Sequence, residues 1–263
     1  MQTVGDPIMM GAVASLIAGA ATGTGALPIF LKKDFSRRTL DIMLALAGGV
    51  MLAASSFSLL VPALDNPIIV NWYDVLTVVA LGFALGGLFV HLADRFIPHD
   101  HFEQGHEGPP SSLSRVWLLI LAITIHNFPE GLAVGVAFGT SEAITGFSVA
   151  VAIGLQNIPE GLAVAAPMVR EGFSRSKAAL FALATGLVEP LGGLLGVSIV
   201  SFSSVLLPYG LAFAAGAMVF VVGDEMIPES HAGGNARIAT WGLIIGFIIM
   251  MVLDNVFTIL FGV

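Results

Sequence analysis

The sequence contains no cysteine, which excludes disulfides and thiolate metal ligands and leaves oxygen, imidazole and thioether groups as candidate ligands. Charged residues are also scarce, at 11% of the chain, whereas 56% of the residues are hydrophobic. Long apolar runs without charge exceed what a soluble core requires. The composition therefore predicts one membrane domain over residues 1–263 and gives no support for nucleic-acid binding.

The apolar runs predict a set of membrane-crossing helices. A helix needs about twenty mostly apolar residues to cross the hydrocarbon core of a bilayer. Eight segments meet this requirement, at residues 8–31, 40–62, 72–93, 116–139, 144–169, 176–201, 205–227 and 238–261. The expected fold is therefore an all-α polytopic membrane protein with eight transmembrane helices.

Basic residues are missing from alternate connections between these segments. All ten Lys and Arg residues lie in or beside four loops, and the connections around residues 65–71, 140–146 and 201–208 contain none. The positive-inside rule places the basic loops in the cytoplasm. It predicts a multi-pass protein of the plasma (inner) membrane with both termini on the extracytoplasmic side.

The longest loop, at about residues 95–115, is predicted to be cytoplasmic and flexible. It carries His99, His101 and His106 beside several carboxylates. These groups are ligand types for a divalent metal, although a mobile loop must become ordered before it binds one. Two interpretations remain open, a metal-buffering segment and a solvated polar linker.

The pattern Asn-x-Pro-Glu-Gly-Leu-Ala-Val occurs twice, at residues 127–134 and 157–164, each time inside a candidate helix. A carboxylate near the bilayer midplane is costly unless it is neutralised, paired or ligated. At about 100° per residue, each helix presents three ligand-type groups in one sector. The two sets are His126, Asn127 and Glu130, and Gln156, Asn157 and Glu160. A short connection makes these helices antiparallel neighbours, so the facing carboxylates can bridge two cations.

A third carboxylate lies beside a proline at Glu189-Pro190, inside the sixth candidate helix. With Glu130 and Glu160 it would offset most of the charge of two divalent ions, and some of the three should protonate when the metal leaves. Carboxylates, imidazole and carboxamides suit Zn²⁺, Fe²⁺, Mn²⁺, Co²⁺ and Cd²⁺ rather than copper(I). The pattern therefore predicts a midplane, binuclear metal site on helices four, five and six.

The segments His-Asn-x-Pro-Glu-Gly, Gln-Asn-Ile-Pro-Glu-Gly and Val-Glu-Pro-Leu-Gly-Gly resemble those of the ZIP (Zrt/Irt-like) divalent metal transporters. The prokaryotic GufA-like branch is the most similar. The resemblance covers nearly the whole chain, including residues 51–58 and the segment Asp224-Glu225-Met-Ile-Pro-Glu-Ser-His231.

The resemblance implies two neighbouring metal positions. One would be formed by Met51, His126, Glu130, Gln156 and Glu160. The other would be formed by Asn127, Glu130, Asn157, Glu160 and Glu189. Gln156 stands where many relatives have histidine, and a neutral carboxamide is a weaker ligand. An exit-side metal station of Asp224, Glu225 and His231 is also implied, although these residues can instead simply reach the membrane interface.

The resemblance further implies how the helices are arranged and move. Helices 1–3 and 6–8 would form inverted repeats around the central pair of helices 4 and 5. An elevator-type movement would slide helices one, four, five and six against helices two, three, seven and eight. The expected activity is transport of divalent metal ions, Zn²⁺ foremost, into the cytoplasm, with no catalytic residues and no cofactor. The expected partners are the metal ions, the lipid bilayer and a second copy in a homodimer.

Two functions of other classes also place polar groups within a membrane. An intramembrane zinc hydrolase needs metal-bound water and a separate acid or base, and the His-Glu-x-x-His arrangement is absent from the sequence. An ion-coupled carrier of an organic solute also uses broken helices with midplane carboxylates. Uptake of metal by the purified protein in liposomes distinguishes both from a metal transporter.

Overall fold

The computed structural model describes residues 6–32, 34–101, 105–113, 115–140 and 143–261. Eight helices in this part of the chain are long and apolar enough to cross a membrane. In chain order they are α1 (Pro7–Leu31), α2 (Arg37–Leu64), α3 (Trp72–Phe96), α4 (Arg115–Ala137), α5 (Ala143–Arg170), α6 (Arg175–Phe202), α7 (Ser204–Ala232) and α8 (Ala236–Phe261). A small antiparallel ribbon of β1 (His99–Asp100) and β2 (His106–Glu107) lies between α3 and α4. The predicted all-α polytopic fold is confirmed, with this ribbon as its one addition among the described residues.

Polar residues at the helix starts explain where several of the spans begin. The side chains of Asp6, Ser36 and Ser174 accept hydrogen bonds from backbone N–H groups in the first turns of α1, α2 and α6. Asn71 and Asp74 form a reciprocal capping box at the start of α3. These groups satisfy N–H donors that have no partner within the helix. The spans therefore begin within a few residues of where hydropathy predicted them.

Proline interrupts one of the three motif-bearing helices. Helix α6 breaks at residues 187–188, and its second segment starts at Glu189, because Pro190 cannot donate to the carbonyl of Gly186. Helices α4 and α5 instead remain continuous through Pro129 and Pro159. The Glu189 carboxylate therefore lies at the N-terminus of a half-helix, where the helix dipole favours negative charge.

The helices form two bundles. The motif bundle consists of α1, α4, α5 and α6, and the flanking bundle consists of α2, α3, α7 and α8. The most extensive packing joins helices of the same bundle, with α1 against α5, α4 against α6, α2 against α8 and α3 against α7. Exchanging 1 with 6, 2 with 7, 3 with 8 and 4 with 5 reproduces this pattern. The helix packing therefore has the symmetry expected of inverted repeats around the α4/α5 pair.

Within each bundle, glycines allow the backbones of neighbouring helices to come into direct contact. A Cβ at Gly131 of α4 would overlap the carbonyl of Glu189 in α6, and a Cβ at Gly161 of α5 would overlap the carbonyl of Thr22 in α1. Gly49 and Gly216 make equivalent contacts within the flanking bundle. Among the described residues, wherever a Cβ added to a glycine would meet a carbonyl of another helix, the two helices belong to the same bundle. Contacts between the bundles pass through side chains instead, as where Gly210 of α7 faces valines of α4 and α6.

Candidate metal-transport site

The twin motif lies in the interior of the protein, where α4 and α5 pass each other. Asn127 and Glu130 of α4 and Gln156 and Asn157 of α5 are fully buried, and Glu160 is 9% exposed. Glu189 of α6 is also fully buried and lies within electrostatic range of Glu130 and Glu160. The structure therefore brings together the three carboxylates that the sequence predicted to share a site.

These buried polar groups are incompletely hydrogen-bonded. Asn157 Nδ2 donates to Glu189 Oε1 at 2.6 Å and to the Ala18 carbonyl of α1 at 2.8 Å. Both carboxylate oxygens of Glu130, Glu189 Oε2 and Asn157 Oδ1 have no hydrogen-bond partner among the described residues. The side-chain amides of Asn127 and Gln156 are likewise unpartnered there. Buried oxygens that are left open in this way are costly unless a cation or proton satisfies them, so the donor set fits a bound divalent metal.

A cavity of about 80 Å³ extends from the Glu130 and Glu160 carboxylates toward one end of the helices. It reaches His101, which directly follows β1, and Glu229 of α7, and Glu229 contacts Arg37 at the start of α2, beside a basic loop. A large apolar cluster packs the interior elsewhere, and it includes Leu59, Val136, Phe138, Val149 and Leu211 from four helices. The carboxylates therefore communicate with the end of the protein that carries the basic loops.

Three side chains meet along the wall of this cavity. Glu225 Oε2 lies 2.5 Å from His126 Nε2 and 3.3 Å from His101 Nδ1. Glu225 belongs to the π-helical segment Val222–Met226 of α7, a deviation often found at functional positions. His126 therefore points from the twin motif toward the flanking bundle.

The histidine loop is folded into the protein in its described part. His99 is fully buried, its Nδ1 lies 2.8 Å from the carbonyl of Ile97, and its Nε2 lies 3.9 Å from both Asp94 and Glu107. Ligand atoms of His99, His101 and Glu107 lie within 4.8 Å of one another. Burial lowers the pKa of His101, which keeps its imidazole neutral and able to bind a metal. The expectation of a flexible, solvated loop is wrong for these residues, because the ribbon packs against α4.

His106 does not join this group. Its Nδ1 lies 2.7 Å from Asp100 Oδ1, and its Nε2 lies 3.1 Å from the carbonyl of Pro109. The hydrogen bond with Asp100 raises the pKa of His106, and the side chain is exposed. Of the three loop histidines named from the sequence, the structure therefore brings His99 and His101 together and holds His106 apart from them on the outer side of the ribbon.

The predicted exit-side trio is also divided. Glu225 faces the cavity, whereas Asp224 is exposed. The His231 side chain contacts the Ile227 carbonyl, Ser230 and Thr240. Of these three residues, Glu225 alone lines the cavity, so the structure does not bring Asp224 and His231 together with it there.

Sequence reasoning missed two carboxylates near the cavity and, through the family resemblance, assigned Met51 to a metal position. Asp94 is 5% exposed, and neither of its carboxylate oxygens has a hydrogen-bond partner among the described residues. Glu229 lines the cavity and is 7% exposed. Met51 is buried in the apolar cluster and does not line the cavity. Asp94 and Glu229 could have been noticed in the sequence as carboxylates near the end of an apolar helix. The same pattern equally fits a residue at the membrane interface, so it did not identify them as cavity residues.

Eight membrane-spanning helices, a buried carboxylate cluster and a cavity that leads from it together define an integral membrane transporter. The family model described as ZIP zinc transporter matches residues 98–254. Zinc transporter GufA of Myxococcus xanthus is 48% identical over 93% of this chain and 97% of its own length. Zinc transporter ZIPB of Bordetella bronchiseptica is 45% identical over 90% of this chain and 77% of its own length. Zinc transporter ZIP11 of Homo sapiens is 38% identical over 89% of this chain and 93% of its own length.

The chain therefore belongs to the ZIP family of transporters, and the predicted resemblance to its GufA-like branch is confirmed. Membership of this family also confirms that the chain is a transporter and not an enzyme.

Proposed function

We propose that this protein carries Zn²⁺ and chemically similar divalent metals across the plasma (inner) membrane into the cytoplasm, through the site formed by α4, α5 and α6. The observation that carries the proposal is the group of buried carboxylates at Glu130, Glu160 and Glu189, in which both oxygens of Glu130 and one of Glu189 lack a hydrogen-bond partner among the described residues. The only Lys and Arg residues of these helices lie in their terminal turns, at Arg115, Arg170, Arg175 and Lys177, so a metal ion or protons must balance the charge. The family relatives, which are named zinc transporters, support zinc as the substrate.

The proposed site is binuclear. Glu130 and Glu160 face each other from equivalent motif positions and would bridge two ions. His126, Gln156 and Met51 would complete one position, and Asn127, Asn157 and Glu189 the other. The open oxygens of Glu130, Glu189 and Asn157 support this assignment. Met51 has the weakest support, because it is packed in the apolar cluster.

The proposed release route follows the cavity. An ion that leaves Glu130 and Glu160 meets Glu225 between His126 and His101, and then the ligand atoms of His99, His101 and Glu107. Imidazole nitrogens and carboxylate oxygens are the ordinary protein ligands of Zn²⁺. This sequence of groups would allow stepwise transfer of the ion toward the cytoplasm and replaces the exit station expected from Asp224, Glu225 and His231.

The proposed movement is a sliding of the motif bundle against the flanking bundle. Backbone contacts at glycines make each bundle rigid, whereas side chains alone separate the bundles at Gly210. The cavity, which extends toward the basic loops, corresponds to an inward-facing arrangement under the positive-inside rule. Both termini would then be extracytoplasmic, and a homodimer would leave each motif bundle free to move.

The test is Zn²⁺ uptake by purified protein in liposomes that contain a metal-sensitive dye. We expect uptake by the unchanged protein and by Glu171→Gln, a matched carboxylate control in an exposed loop. We expect none in Glu160→Gln, which keeps the shape and removes the charge. Uptake that persists in Glu160→Gln, or flux of an organic solute without metal, would refute the proposed site.

A further inference from the structure

Asp254 of α8 connects the two bundles near the end of the helices opposite the cavity. Asp254 Oδ1 accepts a hydrogen bond from Ser58 of α2 at 2.7 Å and from Ser148 of α5 at 3.1 Å. Ser58 and Asp254 belong to the flanking bundle, whereas Ser148 belongs to the motif bundle. The bond with Ser148 therefore crosses the surface along which the bundles are proposed to slide.

The surroundings of this contact are apolar and small. Ala54 of α2, Ala152 of α5 and Met250 of α8 form a fully buried cluster. Ser58 and Asp254 lie four residues after Ala54 and Met250, and Ser148 lies four residues before Ala152 in the antiparallel α5, so all three are about one helical turn toward the extracytoplasmic side. An apolar layer is therefore followed by one polar layer, in which Ser148 is 5% and Ser58 2% exposed.

The neighbouring serines of α2 do not make such contacts. Ser55 and Ser56 donate to the carbonyls of Met51 and Leu52 in their own helix. Because Ser58 holds the Asp254 carboxylate in place from within the flanking bundle, Asp254 is positioned to accept from the moving bundle. Movement of α5 along its axis by a fraction of a turn would break the Ser148 bond and leave the Ser58 bond intact.

We propose that the Ser148–Asp254 hydrogen bond is a latch that keeps the extracytoplasmic side closed in the inward-facing arrangement. The inference rests on the proposed sliding of the bundles. A hydrogen bond to a charged group contributes enough to shift a two-state equilibrium by roughly tenfold. Loss of the latch should therefore raise the population in which the extracytoplasmic side is open.

The absence of natural cysteine makes single-cysteine labelling a direct test. Cysteine at Ala152, which is fully buried between the bundles, reports opening on the extracytoplasmic side. Cysteine at Ala163, which lines the cavity, reports access from the cytoplasm. Both are labelled with a membrane-impermeant thiol reagent, applied outside for Ala152→Cys and to opened membranes for Ala163→Cys.

We expect Ser148→Ala to raise the external labelling rate of Ala152→Cys roughly tenfold without raising the cytoplasmic rate of Ala163→Cys. Ser148→Thr retains a hydroxyl and should keep the slow rate. Ser56→Ala removes a hydroxyl that bonds its own helix and should also leave the rate unchanged. An unchanged external rate in Ser148→Ala would overturn the latch, and faster labelling at both positions would indicate loosened packing and overturn it equally.

Failure of the latch is distinguishable from failure of the proposed function. If Zn²⁺ uptake occurs and Zn²⁺ changes the labelling of Ala152→Cys when Ser148 is present, but Ser148→Ala has no effect, the latch alone is wrong. If uptake is absent or Zn²⁺ never changes the labelling, the sliding movement is wrong and the latch fails with it.

Discussion

At the scale of single residues, the most informative feature is a group of buried polar side chains that lack hydrogen-bond partners among the described residues. Glu130 and Glu189 are fully buried with open carboxylate oxygens, and the amides of Asn127 and Gln156 lie beside them without partners among the described residues. A soluble protein would pair such groups or exclude them from the core. Here they form a buried group of open polar atoms, which is the group proposed above to bind the metal.

Replacement of the carboxylates should separate bridging from terminal ligands. We expect Glu130→Ala and Glu160→Ala each to abolish transport, because both ions would lose a shared ligand. Glu189→Ala should leave measurable flux with altered selectivity, because Glu189 would contact one ion and is already hydrogen-bonded to Asn157. Flux of Zn²⁺ and Cd²⁺ in liposomes measures this, and equal, complete loss in all three folded variants would contradict two metal positions.

Gln156 offers a gain-of-ligand experiment. Imidazole binds Zn²⁺ more strongly than a carboxamide does, so Gln156→His should lower the half-saturating Zn²⁺ concentration. Tighter binding also slows release, so the maximal rate should not rise in proportion. Uptake kinetics measure both parameters, and the absence of a change in either would place Gln156 outside the ligand set.

At the scale of elements, the ribbon between α3 and α4 places His99 and His101 against α4 and keeps His106 outside. Two residues of one short segment therefore point to the interior, and a third of the same type serves as a natural control. Such a division follows from strand geometry, since neighbouring positions of a strand face opposite sides.

Histidine replacements in the ribbon should have unequal effects. We expect His101→Ala to lower the maximal rate of Zn²⁺ transport several-fold without a change in metal selectivity, because His101 contacts Glu225 on the release route. His106→Ala should leave the rate near that of the unchanged protein, because His106 bonds Asp100 on the exposed side. Selectivity that changes in His101→Ala would mean that the ribbon helps to choose the ion.

The glycine of each twin motif has a structural explanation. Gly131 and Gly161 each place a Cα where a Cβ would overlap a carbonyl of the neighbouring helix. Overpacking of this kind typically costs about 1–3 kcal/mol and forces the helices apart. Each motif glutamate is therefore followed directly by a glycine because the glutamate lies where its helix contacts a neighbouring helix.

Addition of one methyl group should test that explanation. Gly161→Ala is expected to lower the apparent Tm and the yield of folded protein in detergent, because the overlapping atom is a backbone carbonyl of α1. Gly223→Ala is the matched control, since a Cβ there meets nothing within 4 Å. Equal thermal stability of the two variants, followed by thermal unfolding in detergent, would contradict the role of Gly161 in holding α1 against α5.

At the scale of the whole molecule, two helix bundles enclose a cavity that extends from the buried carboxylates toward one end of the helices. Packing within each bundle is more extensive than packing between them. The cavity approaches the end with the basic loops, and the contact of Asp254 with Ser148 lies toward the other end. The arrangement is consistent with a carrier that exposes one site to alternate sides, as proposed above.

The orientation can be measured by single cysteines on opposite ends. Ser112 lies after the ribbon and Ser204 is the first residue of α7, and both are exposed. We expect a membrane-impermeant thiol reagent to label Ser204→Cys in intact cells and Ser112→Cys only after the cells are opened, because the positive-inside rule predicts that the basic loops face the cytoplasm. The reverse result would invert the proposed topology and the direction of the release route.

The sequence alone determined the eight spans, the alternation of basic loops and the burial of Glu130, Glu160 and Glu189, because these follow from bilayer thickness and the cost of charge in an apolar helix. Hydropathy and spacing are local properties, so they were sufficient. Tertiary structure alone decided that His101, His126 and Glu225 meet, although they lie far apart in the chain. It also decided that Asp254 bridges the bundles, because a contact between distant residues depends on how complete helices pack and not on the pattern within any one of them.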